Sequence, residues 1–93
     1  MGDDKSETRV FTVRNQLGIH ARPASLLAKR AKQYDSKITV QRGDDIVDGK
    51  SIMMLMTLAA DEGTKLSVTA TGEDASEALD ALEELFATKF GED

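Results

Sequence analysis

The chain has 93 residues, no cysteine, 4% aromatic residues and a formal net charge of −5 at neutral pH. This length predicts one domain. The lack of cysteine excludes disulfides, thiolate metal ligands and thiol nucleophiles. The negative net charge and the small number of aromatic side chains disfavour a nucleic-acid partner. No apolar run is long enough for membrane insertion and the first residues lack a secretory signal, so we expect a cytoplasmic protein.

The first half of the chain predicts a strand, a helix and a hairpin. We expect a mobile polar tail over residues 1–7 and one folded domain over residues 8–93. Alternating apolar side chains predict a strand from Thr8 to Arg14, and Gly18 marks a turn. Apolar residues at helical spacing predict a helix from about Ala21 to Lys32. Alternation then predicts two strands joined by a turn at Gly43-Asp44, namely Lys37 to Arg42 and Ile46 to Asp48.

The second half predicts a short helix, a strand and a longer helix. The segment Ile52 to Ala60 is too continuously apolar for a solvated helix, so we expect a short, half-buried helix capped by Ser51. Alternation predicts a strand from Lys65 to Thr71. Asp74 is expected to cap the final helix, with Glu77 completing a capping box. The predicted buried face of this helix comprises Ala78, Leu79, Leu82, Leu85 and Phe86.

The order of these elements is strand, helix, strand, strand, short helix, strand, helix. Both longer helices have one apolar side and the strands alternate, so each element has one face to bury. The simplest arrangement is an α+β domain with one mainly antiparallel sheet, whose helices cover one face and whose other face meets solvent.

Positive charge is concentrated around the only histidine of this acidic chain. The segment from His20 to Arg42 contains six basic residues and one acid, whereas the segment from Ser51 to Asp93 contains ten acids and two lysines. On the first predicted helix, the side opposite the apolar face is polar and mostly basic. It carries Arg22, Ser25, Lys29 and Lys32.

His20 directly precedes the first predicted helix. The first turn of a helix presents unpaired backbone N–H groups, here those of Ala21 and Arg22, and about half a positive charge. Pro23 fits in that turn because its missing N–H costs no hydrogen bond there. The Arg22 guanidinium suits phosphate oxygens, and imidazole is a competent nucleophile near neutral pH. The pattern predicts a phosphate cradle with His20 at its mouth.

A second interpretation of His20 stays open at this point. A histidine at a helix start is often a capping or solvated residue, in which case the chain is a small regulatory binding module. One histidine without cysteine disfavours a metal site, and no hydrolytic nucleophile–base pair is recognisable. We therefore expect neither a metal nor a cofactor.

Two segments resemble the histidine-containing phosphocarrier (HPr) family of the bacterial phosphoenolpyruvate-dependent sugar phosphotransferase system. The segment Leu17 to Ala24 (LGIHARPA) is similar to its active-site signature, and Gly49 to Met53 (GKSIM) to its regulatory-serine segment. The resemblance implies an open-faced β-sandwich with a four-stranded antiparallel sheet and three helices. It implies that His20 accepts phosphate on Nδ1 from phosphorylated enzyme I and donates it to sugar-specific IIA components, with Arg22 beside the phosphate.

The resemblance further implies that Ser51 is modified by an HPr kinase/phosphorylase. The simpler alternative is that Ser51 is a helix cap and nothing more.

We expect a monomer with a transient partner surface. Leu55 and Leu58 are assigned to the core, which leaves Met53 and either Ile52 or Met56 exposed as an apolar contact. Beside it, the side chains of the first helix that face acidic partners are Arg22, Ser25, Lys29 and Lys32.

Three departures from the family pattern bear on the pathway. Leu17 stands where many members carry a small polar residue, and Met54 replaces a frequent glycine. The closing segment from Leu85 to Asp93 is similar to the nitrogen-related paralogue. A nitrogen-related phosphotransferase carrier is therefore an alternative within the same chemistry. In either system the resemblance implies a protein that carries the phosphoryl group and does not turn over a substrate by itself.

Overall fold

Four antiparallel strands form one sheet in the computed structural model of the protein, which describes residues 5–92. The elements are β1 (Ser6–Thr12), α1 (Ala21–Ala31), β2 (Lys37–Arg42), β3 (Asp45–Asp48), α2 (Ile52–Thr57), β4 (Lys65–Thr71) and α3 (Ala75–Ala87). The spatial order of the strands is β1–β4–β2–β3, and all three pairings are antiparallel. The expected α+β fold, an open-faced β-sandwich with the order βαββαβα, is confirmed.

Alternation along each strand directs one set of side chains into the core. Val40 of β2 lies opposite both Val47 of β3 and Val68 of β4, and Phe11 of β1 lies opposite Leu66 of β4. All five side chains are buried. The intervening residues point to the other face of the sheet because successive side chains in a strand alternate. That face is mostly polar and includes Thr8, Thr39, Gln41, Ser67 and Thr69, together with the exposed apolar residues Val10 and Ile46.

The helices bury their apolar sides against the inner face of the sheet. Leu27 of α1 is fully buried, and a leucine side chain in such a place contributes about 1.5–3 kcal/mol to folding. The Phe86 ring of α3 lies 4.9 Å from the ring of Phe11 and 5.0 Å from that of Phe90, centroid to centroid. The predicted buried face of α3 is confirmed, except that Leu85 is only half-buried.

The first strand begins earlier than predicted. Ser6 and Glu7 belong to β1 and pair with β4, so they are part of the sheet and not of a tail. Arg9, on the inner side of β1, donates to Glu7 and, through Nη1, to Asp80 of α3 at 2.8 Å. Ser6 and Glu7 were missed because the inward positions at this end of the strand hold the ion pair of Glu7 with Arg9 instead of apolar residues. The strand also ends at Thr12, two residues before its predicted end at Arg14. The rest of the expected tail, residues 1–4, lies outside the described residues.

Asp74 is the N-cap residue of α3, but its side chain does not cap that helix. Its carboxylate instead accepts hydrogen bonds from the backbone N–H of Asp35, at 2.8 Å, and from the N–H and hydroxyl of Ser36. The predicted capping box of Asp74 with Glu77 is therefore wrong. The carboxylate binds the loop that follows α1, where three donors converge on it.

We expect acid to weaken the fold through Asp74. Hydrogen bonds from Ser36 and Asp35 hold the pKa of the Asp74 carboxyl below its ordinary value. The stability that the ionised form contributes is therefore fully present above the unfolded-state pKa of about 3.9 and is lost as the pH falls through the lower folded-state pKa. Urea unfolding of Asp74→Ala should show a lower midpoint at neutral pH and a weaker acid dependence than the wild type.

The control for this prediction is Glu73→Ala, which removes an exposed carboxylate from the neighbouring position. It should leave both the midpoint and the acid dependence close to those of the wild type. An Asp74→Ala protein with the midpoint and acid dependence of the wild type would show that the bridge to Ser36 does not stabilise the fold.

No helix within residues 5–92 combines the length and apolar character needed to cross a membrane. The longest of the three α-helices given above, α3, has 13 residues, whereas a membrane-spanning helix needs about 20.

Candidate functional site

His20 is the N-cap residue of α1, but its side chain makes no capping hydrogen bond. The His20 carbonyl accepts from the Ala24 amide, which starts the helical bonding. The amides of Ala21 and Arg22 have no acceptor among residues 5–92, and Pro23 has no N–H. The predicted position of the imidazole at the open, positive end of a helix is confirmed, and a capping role for the ring is not supported.

The loop before His20 is fixed to the chain that follows α2. The Ile19 amide donates to the Ala60 carbonyl at 2.8 Å, and Gly18 packs directly against the same residue. Gly18 has φ +73°, and a Cβ atom built there would lie 2.4 Å from the Ala60 oxygen. Only glycine therefore fits at this position, both for conformation and for space. These contacts hold the turn that presents His20.

Arg22 lies beside His20 with 59% of its side chain exposed. Its Nη1 donates to the Phe90 carbonyl at 3.2 Å and lies 3.5 Å from the Glu92 carboxylate. The prediction that Arg22 lies on the exposed side of the helix is confirmed. Its remaining guanidinium N–H groups make no hydrogen bond to the described residues, so they are available to an incoming anion.

The structure adds two residues that the sequence analysis missed, Glu92 and Asn15. The Glu92 carboxylate lies 3.0 Å from Nε2 of His20. Asn15, fully buried, donates from Nδ2 to Glu92 at 3.0 Å and to the Gly18 carbonyl at 2.6 Å. Asn15 lies just before the predicted turn at Gly18, and Glu92 lies 72 positions beyond His20 in the chain. Neither spacing nor periodicity signals a contact over that distance.

A left-handed turn brings Glu92 to the histidine. After α3, Lys89, Phe90 and Gly91 all have positive φ values, +56°, +54° and +74°. Such a conformation is costly for residues with a Cβ atom and requires support from the surrounding structure. The buried Phe90 ring, packed on Phe86, gives that support. The turn reverses the chain and directs Glu92 towards α1.

The Glu92 carboxyl is ionised at neutral pH. Partial desolvation is the largest single effect and by itself raises the pKa of Glu92. Hydrogen bonds from His20 and Asn15, together with the positive charge of Arg22, outweigh it and hold the pKa below its ordinary value. The site therefore contains a negative charge as well as a helix end and an arginine.

Ser51 caps α2 as predicted. Its Oγ accepts a hydrogen bond from the Met54 amide at 3.2 Å. At the other end of the helix, Arg42 donates to the carbonyls of Leu58 and Ala59 at 2.7 and 3.0 Å. A helix of six residues is thus fixed at both termini, which compensates for the weakness of short helices.

The side of α2 away from the core is apolar and exposed. Leu55 and Leu58 are buried, as predicted. Met53 is 79% exposed, as expected. Ile52 and Met56 are both exposed, where only one of them was expected to be, and Met54, which was not expected there, is exposed as well. On α1, Lys29 and Lys32 are exposed and Ser25 is half-buried. We call Ile52, Met53, Met54 and Met56 the apolar patch, and Arg22, Lys29 and Lys32 the basic stripe.

His20 lies on an open surface. Two depressions near α3, of about 270 and 330 Å³, are lined by residues such as Phe11, Glu83 and Tyr34 but not by His20 or Arg22. No group of three or more His, Asp or Glu side chains among residues 5–92 is arranged to hold a metal ion. The His20 side chain is 37% exposed, so it is accessible to another protein, whereas small-molecule sites are concave.

Comparison with protein families gives one match that covers most of the chain. The family model of the PTS HPr component phosphorylation site matches residues 7–88. The phosphocarrier protein HPr of Treponema pallidum is 45% identical over 86 residues, which cover 90% of this chain and 98% of that protein.

A longer relative contains a similar segment. The multiphosphoryl transfer protein of Haemophilus influenzae is 40% identical over 85 residues, but the chain spans only 17% of its length. Among solved structures, HPr-C-His from Thermoanaerobacter tengcongensis matches with a TM-score of 0.90 and 37% identity, covering 94% of this chain and 98% of that one. The similarity therefore includes the fold as well as the sequence.

Proposed function

The chain belongs to the HPr family of the phosphotransferase system, and we propose that it carries a phosphoryl group on His20 from phosphorylated enzyme I to sugar-specific IIA components. The observation that carries this proposal is the uncapped imidazole of His20 at the helix end, beside the unpaired amides of Ala21 and Arg22. A cytoplasmic location and a monomeric state belong to the same proposal.

The chemistry requires a site that stabilises phosphate without trapping it. His20 supplies a nucleophilic nitrogen, and the first-turn amides with the helix dipole bind the anionic oxygens. Arg22 adds charge-assisted hydrogen bonds from the guanidinium N–H groups that the Phe90 carbonyl does not engage. Because the side chains of His20 and Arg22 are exposed to solvent, a second protein can approach, deliver the group and later remove it.

Partner proteins would dock on the basic stripe and the apolar patch. The stripe complements acidic surfaces and accelerates encounter, since opposite charges steer association. The methionines of the patch adapt to different surfaces because their side chains are flexible and polarizable. A carrier must bind a donor and an acceptor in turn, so a small adaptable interface fits the proposed role.

The nitrogen-related system is a second candidate pathway. The C-terminal segment carries the resemblance to the nitrogen-related paralogue, and Phe90 and Glu92 of that segment contact the site. Separate incubations with enzyme I of the sugar system and with its nitrogen-system counterpart distinguish the pathways, because the cognate donor should phosphorylate the chain faster.

Phosphate incorporation tests the proposed function. After incubation with phosphoenolpyruvate and enzyme I, the chain should gain one phosphate per molecule that is labile in acid, as expected for a phosphorylated ring nitrogen. Intact-mass measurement before and after acid treatment reads both properties. A chain that gains no phosphate from either donor would be a binding module and not a carrier.

We expect Arg22→Ala to slow phosphate acceptance with little loss of stability. Removing a charge-assisted hydrogen bond worth about 1.5–3 kcal/mol should reduce the transfer rate by roughly tenfold to a hundredfold. The free energy of unfolding should change by less than about 0.5 kcal/mol because the side chain is exposed. Rapid-quench transfer and urea unfolding measure the two effects, with Arg30→Ala on the same helix as the control.

We expect Ser51→Asp to weaken transfer from enzyme I while leaving the fold intact. A phosphate on Ser51 adds about −1.5 to −2 charges at a helix N-terminus, which tolerates them, and the negative charge should repel acidic partners beside the patch. The rate at low enzyme I concentration should fall several-fold. Ser76→Asp places the same charge in the first turn of α3 and is the matched control; equal rates for the two variants would argue against regulation at Ser51.

A further inference from the structure

The pairing of Glu92 with His20 suggests a role beyond local packing. We propose that Glu92, held by Asn15, is a positioning residue that keeps the proton of His20 on Nε2, leaves Nδ1 as the nucleophilic nitrogen, and stabilises the ring as it becomes positively charged. This inference rests on the proposed phosphocarrier function and assigns the orienting group of that same site.

The hydrogen bonds around Glu92 determine which ring nitrogen is protonated. A carboxylate only accepts hydrogen bonds, so Nε2 of His20, 3.0 Å from Glu92, must be the donor. A neutral imidazole carries one N–H, and its other nitrogen then has a free lone pair. Nδ1 makes no hydrogen bond to residues 5–92. The lone pair needed for attack on phosphorus is therefore on Nδ1.

Asn15 fixes the carboxylate in this position. Both hydrogens of its Nδ2 are used, one towards the Gly18 carbonyl at 2.6 Å and one towards Glu92 at 3.0 Å. Rotating the amide by half a turn would bring its oxygen against two acceptors, so the orientation follows from the network. Because Asn15 is fully buried, it links Glu92 to the rigid loop that also presents His20.

The backbone also supports this arrangement. Glu92 follows three residues in the left-handed region, two of which have a Cβ atom. Only 17% of the Glu92 side chain is exposed, compared with 68% for Asp80 and 57% for Glu83 of α3. Strained backbone persists where the surrounding structure holds it, and here it places a carboxylate on the candidate nucleophile.

The charge of Glu92 assists the transfer step. Attack by Nδ1 forms the Nδ1–P bond and breaks the bond between phosphorus and the donor atom, whose electron pair leaves with the donor. Nε2 keeps its proton, so the His20 ring gains a positive charge. A carboxylate 3.0 Å away interacts more strongly with this charged ring than with the neutral one. In the reverse step, the same proton makes the ring a good leaving group.

Two measurements on Glu92→Ala test the proposal. In the wild type, nitrogen-15 NMR of the ring should show a protonated Nε2 with a proton protected from solvent exchange. That protection should disappear in Glu92→Ala. The maximal rate of phosphate acceptance should fall roughly tenfold to a hundredfold. The concentration of enzyme I that gives the half-maximal rate should stay the same. Glu84→Ala, which removes an exposed acid of α3, should leave both properties unchanged.

The outcomes separate this proposal from the proposed function. If the wild type accepts no phosphate, the carrier function itself is wrong. If the wild type accepts phosphate and Glu92→Ala keeps either the protected Nε2 proton or the full maximal rate, the positioning role is overturned while the carrier function stands. Urea unfolding of Glu92→Ala verifies that the fold is intact, which is expected because Glu92 lies outside every helix and strand.

Discussion

We expect the His20→Ala variant to gain no phosphate from phosphoenolpyruvate and enzyme I under conditions that fully label the wild-type chain. His20 is the only histidine, and the chain has no cysteine, so the variant has no imidazole or thiol that could replace the missing nucleophile. The amides of the first turn and Arg22 can still attract an anion, but they cannot bond to it covalently. Loss of the nucleophile therefore removes transfer completely instead of slowing it.

The fold of this variant should be retained, because the His20 side chain is 37% exposed and its polar contact is with Glu92. Urea unfolding checks this point. His20→Gln serves as a second variant that keeps a polar side chain next to Glu92 without a nucleophilic ring nitrogen, and it should also remain unlabelled. An acid-labile phosphate that persists in both variants would place the carrier site elsewhere in the chain.

We expect Gly18→Ala to be destabilising by about 2–3 kcal/mol, a large effect for a single added methyl group. A residue with a Cβ atom at φ +73° costs about 1–2 kcal/mol. In addition, the Cβ would lie 2.4 Å from the Ala60 carbonyl oxygen, so the loop must move away and lose the 2.8 Å hydrogen bond from Ile19, worth about 1 kcal/mol. Chemical unfolding measures the change, and transfer should slow because His20 moves with the loop.

Gly43→Ala is the matched control for this prediction. Gly43 also has positive φ, +59°, but an added Cβ would meet nothing within 4 Å. Its cost should therefore be limited to the backbone conformation, about 1–2 kcal/mol, with no effect on transfer. Equal destabilisation and equal transfer rates for the two variants would show that the contact between Gly18 and Ala60 does not hold the site.

Local periodicity predicted most of the fold. The bounds of β2 and β4 are those expected from alternation, and α1 ends one residue before its predicted end, because side-chain direction in strands and helices depends on near neighbours in the chain. Errors occurred where a distant partner changed the use of a residue. Arg9 fills an inward position of β1 because Asp80 and Glu83 of α3 neutralise its charge. The Asp74 carboxylate accepts a hydrogen bond from the Ser36 amide instead of capping α3.

The residues of the candidate site also fall into two groups, those that the local sequence predicts and those that only tertiary contacts bring to the site. The sequence alone predicted the candidate nucleophile His20, its place at a helix end and Arg22 beside it, since these lie within three consecutive positions whose chemistry follows from local backbone geometry. Only the tertiary structure decided that Glu92 and Asn15 complete the site, because a left-handed turn and a buried aromatic ring bring the end of the chain across to α1. Contacts between residues far apart depend on how the whole chain packs, and no local pattern encodes them.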